Sequence, residues 1–345
     1  MKKTALLVTI LAATALAGCG GSQNASRDQI RAVGSSTVYP FAKAVADSLA
    51  KANADIKSPI IESVGTGAGM KLFCAGVGAQ HPDIANASRR IKKSEFEDCQ
   101  KNGVKDIVEI QVGLDGIAFA EAKNGPGLAL TQADVYKALA ANPFGKPNTA
   151  KTWKDVNPAL PDLPILVYGP PSTSGTRDAL KELVLVKGCE TDPAMKALKD
   201  TDKEKHDAIC GEVRSDGAYV DAGENDNLIV QKLEANPKAM GVFGFSYLEE
   251  NIDKLKGLTM NGVEPTYASI SDFSYPGARP LYIYVKAAHL GAIKGLKEFV
   301  GEWAKTWGRD GLLAKLGMVV SPDDVQAANA KAAADLTPMS GADLK

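Results

Sequence analysis

Short apolar runs typical of β-strands alternate with amphipathic stretches typical of helices along most of the chain. In residues 40–52, Phe41, Val45 and Leu49 recur at helical spacing, and residues 70–77 also have a helical pattern. Strand-like runs occur at 30–34, 59–65 and 83–88. Strands and helices that alternate in this way predict an α/β protein with parallel sheets.

The alternation continues toward the C-terminus. Ser94 and Glu97 have the spacing of a capping box for a helix that runs through Cys99. Further strands are predicted at residues 106–113, 116–122, 163–169 and 279–286, and further helices at 130–140, about 175–186 and 296–317. In α/β folds, ligands bind where such strands end and the next helices begin, so these junctions are the first places to look for chemistry.

Composition and charge narrow the class of protein. The 345 residues are 45% hydrophobic and 23% charged, which is a globular composition with length enough for two domains. The formal net charge is −1, so the charge of the whole molecule suggests neither nucleic acid nor an anionic membrane as a partner. Any charge-based recognition must therefore be local.

The N-terminus has the pattern of an export signal. Lys2 and Lys3 precede an apolar run, residues 5–17, that is too short to span a bilayer. The run ends in Leu-Ala-Gly-Cys19, which resembles a bacterial lipobox. We therefore expect a signal peptide over 1–18, a lipid on Cys19 and a flexible tether over 19–26, in a protein held at the membrane facing the periplasm or cell surface. The alternative is an ordinary signal peptide cut nearby.

The cysteines agree with export. An odd number, five, becomes even once Cys19 is set aside for the lipid. The nearest neighbours in sequence predict two disulfides, Cys74 with Cys99 and Cys189 with Cys210, although other pairings are possible. We expect no metal and no cofactor, because the chain has no C-x-x-C motif and its three histidines are scattered.

Three strand-to-helix junctions share one design. Residues 33–40 (VGSSTVYP), 64–71 (VGTGAGMK) and 170–177 (PPSTSGTR) each place Gly with Ser or Thr before a helical run. Free backbone N–H groups and the positive end of the dipole let a helix N-terminus bind anions. A fourth segment, 86–90 (NASRR), adds a serine and two arginines. One such junction is usually a plain helix cap, but together they predict a site for a small tetrahedral anion.

These motifs resemble one family. GSSTVYPF, GTGAGMKLFCAG, DIANASRRI, VGLDGIAFA, SGTRDAL, GVFGFSYLEEN and RPLYIYVK occur in order over residues 30–315 and are similar to the periplasmic phosphate-binding proteins of bacterial ABC uptake systems. The resemblance implies a type II periplasmic binding protein, with two α/β lobes joined by two crossover strands, VGLDGIAFA and RPLYIYVK. Lobe one would comprise 27–113 and 280–345, the C-terminal tail included, and lobe two 114–279.

The resemblance also implies the ligands of the phosphate. In the family, backbone N–H groups and hydroxyls at helix starts hold the anion. The matching positions here are Ser36, Thr37, Val38 (through its N–H), Thr66, Gly67, Ala68, Ser88, Arg89, Ser174, Gly175 and Thr176.

The chain departs from the family pattern at two positions. Arg89 stands where well-known members have an aspartate that accepts the proton of hydrogen phosphate, and Pro170 stands where they have an arginine. Arg89 or Arg177 is then the candidate guanidinium and Asp115 the candidate acceptor. The alternative for Asp115 is a turn residue before a glycine. Selectivity for phosphate over sulfate rests on such an acceptor.

The resemblance implies a binding protein rather than an enzyme. We expect a lipid-anchored monomer that captures inorganic phosphate and delivers it to the permease and ATPase of an ABC transporter. The alternatives are a binder or sensor of another tetrahedral oxyanion such as sulfate, and a surface protein that retains the fold. An exported serine hydrolase is disfavoured, because no G-x-S-x-G motif is present and no motif links His81, His206 or His289 to a serine.

Overall fold

The computed structural model describes residues 27–344 except 173, 224 and 225. The predicted signal peptide, the tether and Cys19 lie outside the described residues. None of the helices in the described part of the chain is both long and apolar enough to cross a bilayer.

Over the described residues, nine strands form a sheet in the order β2-β1-β3-β9-β4-β7-β5-β6, with β8 paired to β4. The strands are β1 (Arg31–Gly34), β2 (Ile60–Ser63), β3 (Ile84–Ala87), β4 (Ile107–Ala122), β5 (Val167–Gly169), β6 (Tyr219–Asp221), β7 (Met240–Gly244), β8 (Leu255–Gly257) and β9 (Ala278–Lys286).

Helices separate most of the strands. They are α1 (Tyr39–Ala52), α2 (Thr66–Phe73), α3 (Lys93–Lys101), α4 (Gln132–Leu139), α5 (Trp153–Val156), α6 (Gly175–Ala179), α7 (Val186–Cys189), α8 (Pro193–Thr201), α9 (Lys203–Gly211), α10 (Asp226–Ala235), α11 (Phe245–Glu250), α12 (Tyr267–Ser271), α13 (Leu296–Thr306), α14 (Leu312–Lys315) and α15 (Asp323–Asp335). A π-helical segment, Leu180–Leu185, joins α6 to α7.

The antiparallel pair β4–β9 connects two groups of strands. β1, β2 and β3 are mutually parallel, and β3 pairs with β9. On the other side, β4 pairs with β7, which runs parallel to β5. The first part of β4 lies against β9 and its last part against β7, so this one strand runs through both groups.

The buried core divides at the same place. One apolar cluster comprises residues from 114 to 275, together with Val319. Each of two other clusters combines residues from both the range 30–112 and the range 281–344. We refer to residues 27–113 and 280–344 as the first half and to 114–279 as the second half.

Several local predictions were wrong in their bounds. The two strands predicted over 106–122 are one continuous strand, because apolar residues on both faces of β4 are buried as it passes from one core to the other. Asp115 therefore lies within a strand and is not a turn residue. α2 begins at Thr66 instead of about residue 70, so the second glycine-rich segment forms the first turn of a helix. β5 comprises only the last three residues of its predicted strand.

The predicted cap of α3 was also wrong. The helix begins at Lys93, and Glu95 accepts a hydrogen bond from the backbone N–H of Lys92. Ser94 and Glu97 therefore lie inside the helix.

The predicted disulfide pairing is confirmed. Cys74 bonds to Cys99 within the first half, and Cys189 bonds to Cys210 within the second half.

Candidate functional site

Three parallel strands end at one edge of the sheet. Gly34 of β1 is in register with Ser63 of β2 and Asn86 of β3. The carbonyl of Gly34 accepts hydrogen bonds from the N–H groups of residues 64 and 65, at 2.9 and 2.8 Å, and the N–H of Ser35 donates to the carbonyl of Asn86 at 2.9 Å. These bonds hold the segments that follow β1, β2 and β3 side by side, as the sequence predicts for a shared ligand site.

Two glycines allow this close approach. A Cβ on Gly34 would lie 2.1 Å from the carbonyl oxygen of Asn86, and φ is +140° there. A Cβ on Gly69 of α2 would lie 2.4 Å from the Cα of Gly34. Larger residues would separate α2 from the first loop (residues 34–38), so these glycines bring two predicted anion-binding segments together.

Thr66 and Ser88 form a buried pair. The Thr66 hydroxyl accepts a hydrogen bond from the backbone N–H of Ser88 at 3.1 Å, and the two side-chain oxygens lie 3.1 Å apart. The next two predicted residues, Gly67 and Ala68, are exposed and line a cavity of about 590 Å³. Lys203 of the second half lines the same cavity, so this part of the predicted site faces the gap between the halves.

The third segment reaches the first loop directly. Ser174 caps α6 by accepting a hydrogen bond from the N–H of Thr176 at 3.2 Å. A Cβ on Gly175 would lie 2.6 Å from the Cα of Thr37, and the Thr37 hydroxyl lies 3.3 Å from the Gly175 carbonyl, to which it donates. The Ser36 hydroxyl donates to the carboxylate of Asp178. Residues far apart in sequence thus meet across the two halves.

A cavity of about 390 Å³ opens at this contact. Six of the residues singled out by the sequence line it: Ser36, Thr37, Asp115, Ser174, Gly175 and Thr176. Hydroxyls and a helix N-terminus supply hydrogen-bond donors to this cavity, and Asp115 brings a carboxylate to its lining.

Arg279 lies behind this cavity and was missed by the sequence reasoning. Its side chain is only 5% exposed, and each part of the guanidinium has a partner. Nε donates to Asp115 at 3.0 Å, Nη2 donates to the Thr37 hydroxyl at 2.7 Å, and Nη1 donates to Glu182 at 2.6 Å. Because β4 and β9 pair Asp115 with Arg279, the guanidinium is positioned by the two strands that connect the halves.

Arg89 is held by Glu95. Two hydrogen bonds of 2.7 and 2.9 Å join the guanidinium to the two carboxylate oxygens. Burial opposes the charge on each group, but the paired hydrogen bonds prevail, so the pKa of Arg89 is raised and that of Glu95 is lowered. Glu182 also favours the charge on Arg89. An acidic residue of the second half therefore interacts with arginines on both sides of the predicted site.

Arg177 and Val38, the two remaining predicted site residues, have their contacts outside this cavity. Arg177 donates to the carbonyl of Pro170 at 3.2 Å, and its guanidinium lies 4.2 Å from the centre of the Tyr219 ring. The Tyr219 hydroxyl donates to the same carbonyl at 2.7 Å. Val38 is fully buried, and its N–H lies 3.4 Å from the Ser35 hydroxyl oxygen. Neither residue lines the cavity of about 390 Å³.

The histidines lie in other surroundings. His289 bonds to Asp83 at 2.6 Å, and His206 lies beside Glu190 and Asp207. Among the contacts of the described residues, none joins a histidine to Ser172 or Ser174. The geometry of a serine nucleophile with its base is not formed there.

A signal for the missed residues was present in the sequence. Arg279 is the second residue of the mostly apolar strand β9, where an unpaired charge would be costly. Asp178 and Glu182 follow Ser174 at steps of four residues, the spacing that aligns side chains on one face of a helix. Sequence spacing alone does not say which residue of the first half such a face meets.

The chain is similar to proteins of known family. Residues 21–305 match the family model described as a PBP superfamily domain. The protein SphX of Synechococcus elongatus is 36% identical over 293 residues, which covers 83% of this chain and 76% of that protein. The phosphate-binding protein PstS of Staphylococcus haemolyticus is 32% identical over 343 residues, which covers 94% of each.

Solved structures share the fold. A possible phosphate binding protein from Planctomyces limnophilus superposes with a TM-score of 0.72 at 29% identity, over 89% of this chain and 98% of that chain. PstS from Borrelia burgdorferi superposes with a TM-score of 0.57 at 21% identity, over 86% of this chain and all of that chain. The second likeness concerns the fold alone.

Proposed function

We propose that this chain, which belongs to the PstS-like phosphate-binding proteins of the periplasmic-binding-protein superfamily, captures inorganic phosphate between its two halves. The observation that carries the proposal is the cavity at the contact of the first loop with the start of α6. Hydroxyl and backbone donors from both halves meet there, and a guanidinium lies directly behind Thr37. A tetrahedral anion needs donors from several directions, and this arrangement provides them.

The proposed ligands are those that the family resemblance implies. Ser36 and Thr37 provide donors from the first half, and Ser174, Gly175 and Thr176 provide donors from the N-terminus of α6. The pair Thr66 and Ser88, with Gly67, Ala68 and Arg89, extends the site along the gap. Arg279 joins the set as the buried positive charge that orients the Thr37 hydroxyl. Asp115 neutralises that guanidinium.

Closure of the two halves follows from this arrangement. We take β4 and β9 as the crossover strands, because they connect the two cores. An anion that bridges the first loop and α6 makes all of its contacts only when the halves are closed, so binding shifts the equilibrium to the closed state. No chemical step is needed for this function.

Delivery to a transporter belongs to the same proposal. Relatives named PstS match this chain over most of its length, so we propose an ABC permease and ATPase as its partners. We also propose that Cys19 carries the lipid that holds the protein at the membrane. Radiolabelled palmitate should label the wild-type protein in cells and fail to label Cys19→Ala.

Isothermal titration of the purified protein tests the binding proposal. Phosphate should give saturable heat with one site per chain, and sulfate or molybdate should give much less. Heat with sulfate and none with phosphate would refute the assignment of the anion. Thr176→Asp should abolish phosphate binding because it places a negative charge against the anion. The matched control, Thr201→Asp on the exposed end of α8, should bind as the wild type does.

A further inference from the structure

The structure assigns the discrimination between phosphate and sulfate to Asp178. This inference rests on the phosphate-binding function proposed above. Near neutral pH phosphate retains a proton and sulfate has none. A carboxylate at the site can accept the proton of hydrogen phosphate, and it repels every oxygen of sulfate. Selectivity for hydrogen phosphate therefore needs a carboxylate at the site whose oxygens are free to accept.

In the part of the chain that the structure describes, four carboxylates contact the proposed ligands or Arg279, and three of them are paired with arginine. Asp115 and Glu182 both accept from Arg279, at 3.0 and 2.6 Å. Glu95 uses both oxygens on Arg89. A carboxylate in such an ion pair is already satisfied, and its charge is largely balanced by its partner.

Asp178 differs from these three. Within the described residues its side chain makes no ion pair, and it accepts a hydrogen bond from the Ser36 hydroxyl of the other half. Ser36 is itself a proposed phosphate ligand that lines the cavity. A hydroxyl can rotate its hydrogen toward an incoming anion, which frees the Asp178 oxygen to accept from the P–OH group.

The position of Asp178 on its helix fits this role. It lies in the first turn of the helix that begins at Gly175, and its N–H bonds to the carbonyl of Ser174 at 3.2 Å. Donors to the anion and an acceptor for its proton therefore come from the same helical turn. The helix dipole favours a negative side chain in this first turn.

The test compares affinities for phosphate and sulfate in matched variants. Titrations are made at about pH 8, where the dianion with one proton predominates. In Asp178→Asn, phosphate affinity should fall about 10- to 100-fold, because a hydrogen bond to a charged acceptor is lost. Sulfate affinity should rise, because the repulsion is removed. The exposed Asp253→Asn should keep the wild-type ratio.

The possible outcomes separate the two proposals. If the wild type binds no phosphate, the proposed function itself fails. If the wild type binds phosphate and Asp178→Asn retains the wild-type ratio of the two affinities within about threefold, the assignment of Asp178 is wrong. If Asp115→Asn strongly lowers the ratio of phosphate affinity to sulfate affinity and Asp178→Asn does not, Asp115 is the acceptor and the inference is overturned. The thermal midpoint of each variant shows that it is folded, and Asp178→Ala provides a second variant that lacks the carboxylate.

Discussion

Replacement of Lys286 by Met should change how the stability of the protein depends on pH. Lys286 is fully buried at the end of β9, and its ammonium donates to the carbonyl of Gly76 at 2.7 Å. It lies 4.9 Å from the centre of the Phe73 ring. Burial lowers the pKa of Lys286 from 10.5 to about 7, with Asp83 opposing this effect and Arg27 adding to it. His81, whose own pKa is lowered by burial, is a further neighbour.

The direction of this pH dependence follows from proton binding. Between about pH 7 and 10.5, the unfolded chain holds a proton on Lys286 that the folded protein has lost. The free energy of unfolding therefore rises with pH in this window, by at most about 1.4 kcal/mol per pH unit. From pH 7 to 10, the wild type should gain on the order of 3–4 kcal/mol relative to Lys286→Met. The lost bond to Gly76 costs about 1–2 kcal/mol at every pH and does not change the slope.

The assay is urea unfolding at several pH values between 6 and 10, with the disulfides intact. The fluorescence of Trp303 and Trp307, both buried in the first half with Lys286, reports the transition. Subtracting the free energies of unfolding of the two proteins at each pH removes the titration of the groups that do not interact with Lys286. For the control Lys101→Met, at an exposed lysine of α3, the difference from the wild type in free energy of unfolding should not vary with pH. The reasoning is refuted if the difference in free energy of unfolding between the wild type and Lys286→Met stays constant within about 1 kcal/mol from pH 7 to 10.

Three further predictions concern the site and the scaffold. Arg279→Met leaves two carboxylates without their partner, so the free energy of unfolding should fall by about 3–5 kcal/mol in urea titrations; a loss below about 1 kcal/mol would contradict the ion pairs. Gly175→Ala puts a Cβ 2.6 Å from the Cα of Thr37, so phosphate affinity should fall tenfold or more in calorimetry, by about 1.4 kcal/mol, with little change in melting temperature. Scattering measurements should show a larger radius for this variant with phosphate present, and a wild-type radius would count against it. Replacement of Cys189 and Cys210 by Ser opens a loop with a sequence separation of 21, which should cost about 3 kcal/mol of stability; unchanged unfolding would show that the bridge does not constrain the chain.

The strand-to-helix junctions are the part of the site that could be predicted from sequence. A glycine with neighbouring hydroxyl residues before a helix is a local pattern, and local backbone preferences decide it. Gly34, Thr66 and Gly175 were therefore identified from their own surroundings. Their meeting at one edge of the sheet follows from parallel strands, which the alternation of strands and helices also predicts.

The bounds of elements were predicted less well where tertiary packing decides them. β4 reads as two strands with a polar turn at Asp115, yet it is continuous because both of its faces are covered by different cores. In isolation an aspartate before a glycine favours a turn. Its pairing with Arg279 across the β4–β9 register replaces that preference with an ion pair inside the strand.

The sequence by itself determined the class of fold and the loops that carry hydroxyl donors, because each depends on residues close together in the chain. It favoured the disulfide partners on the same ground, and the structure selected them among the possible pairings. Only the tertiary structure decided how the charges are arranged. Arg279 meets a carboxylate 164 residues away, and Asp178 meets a serine 142 residues away. Such contacts depend on the register of β4 with β9 and on how closely the two halves approach. A long charged side chain has several partners within reach, and its final partner is set by packing rather than by its neighbours in sequence.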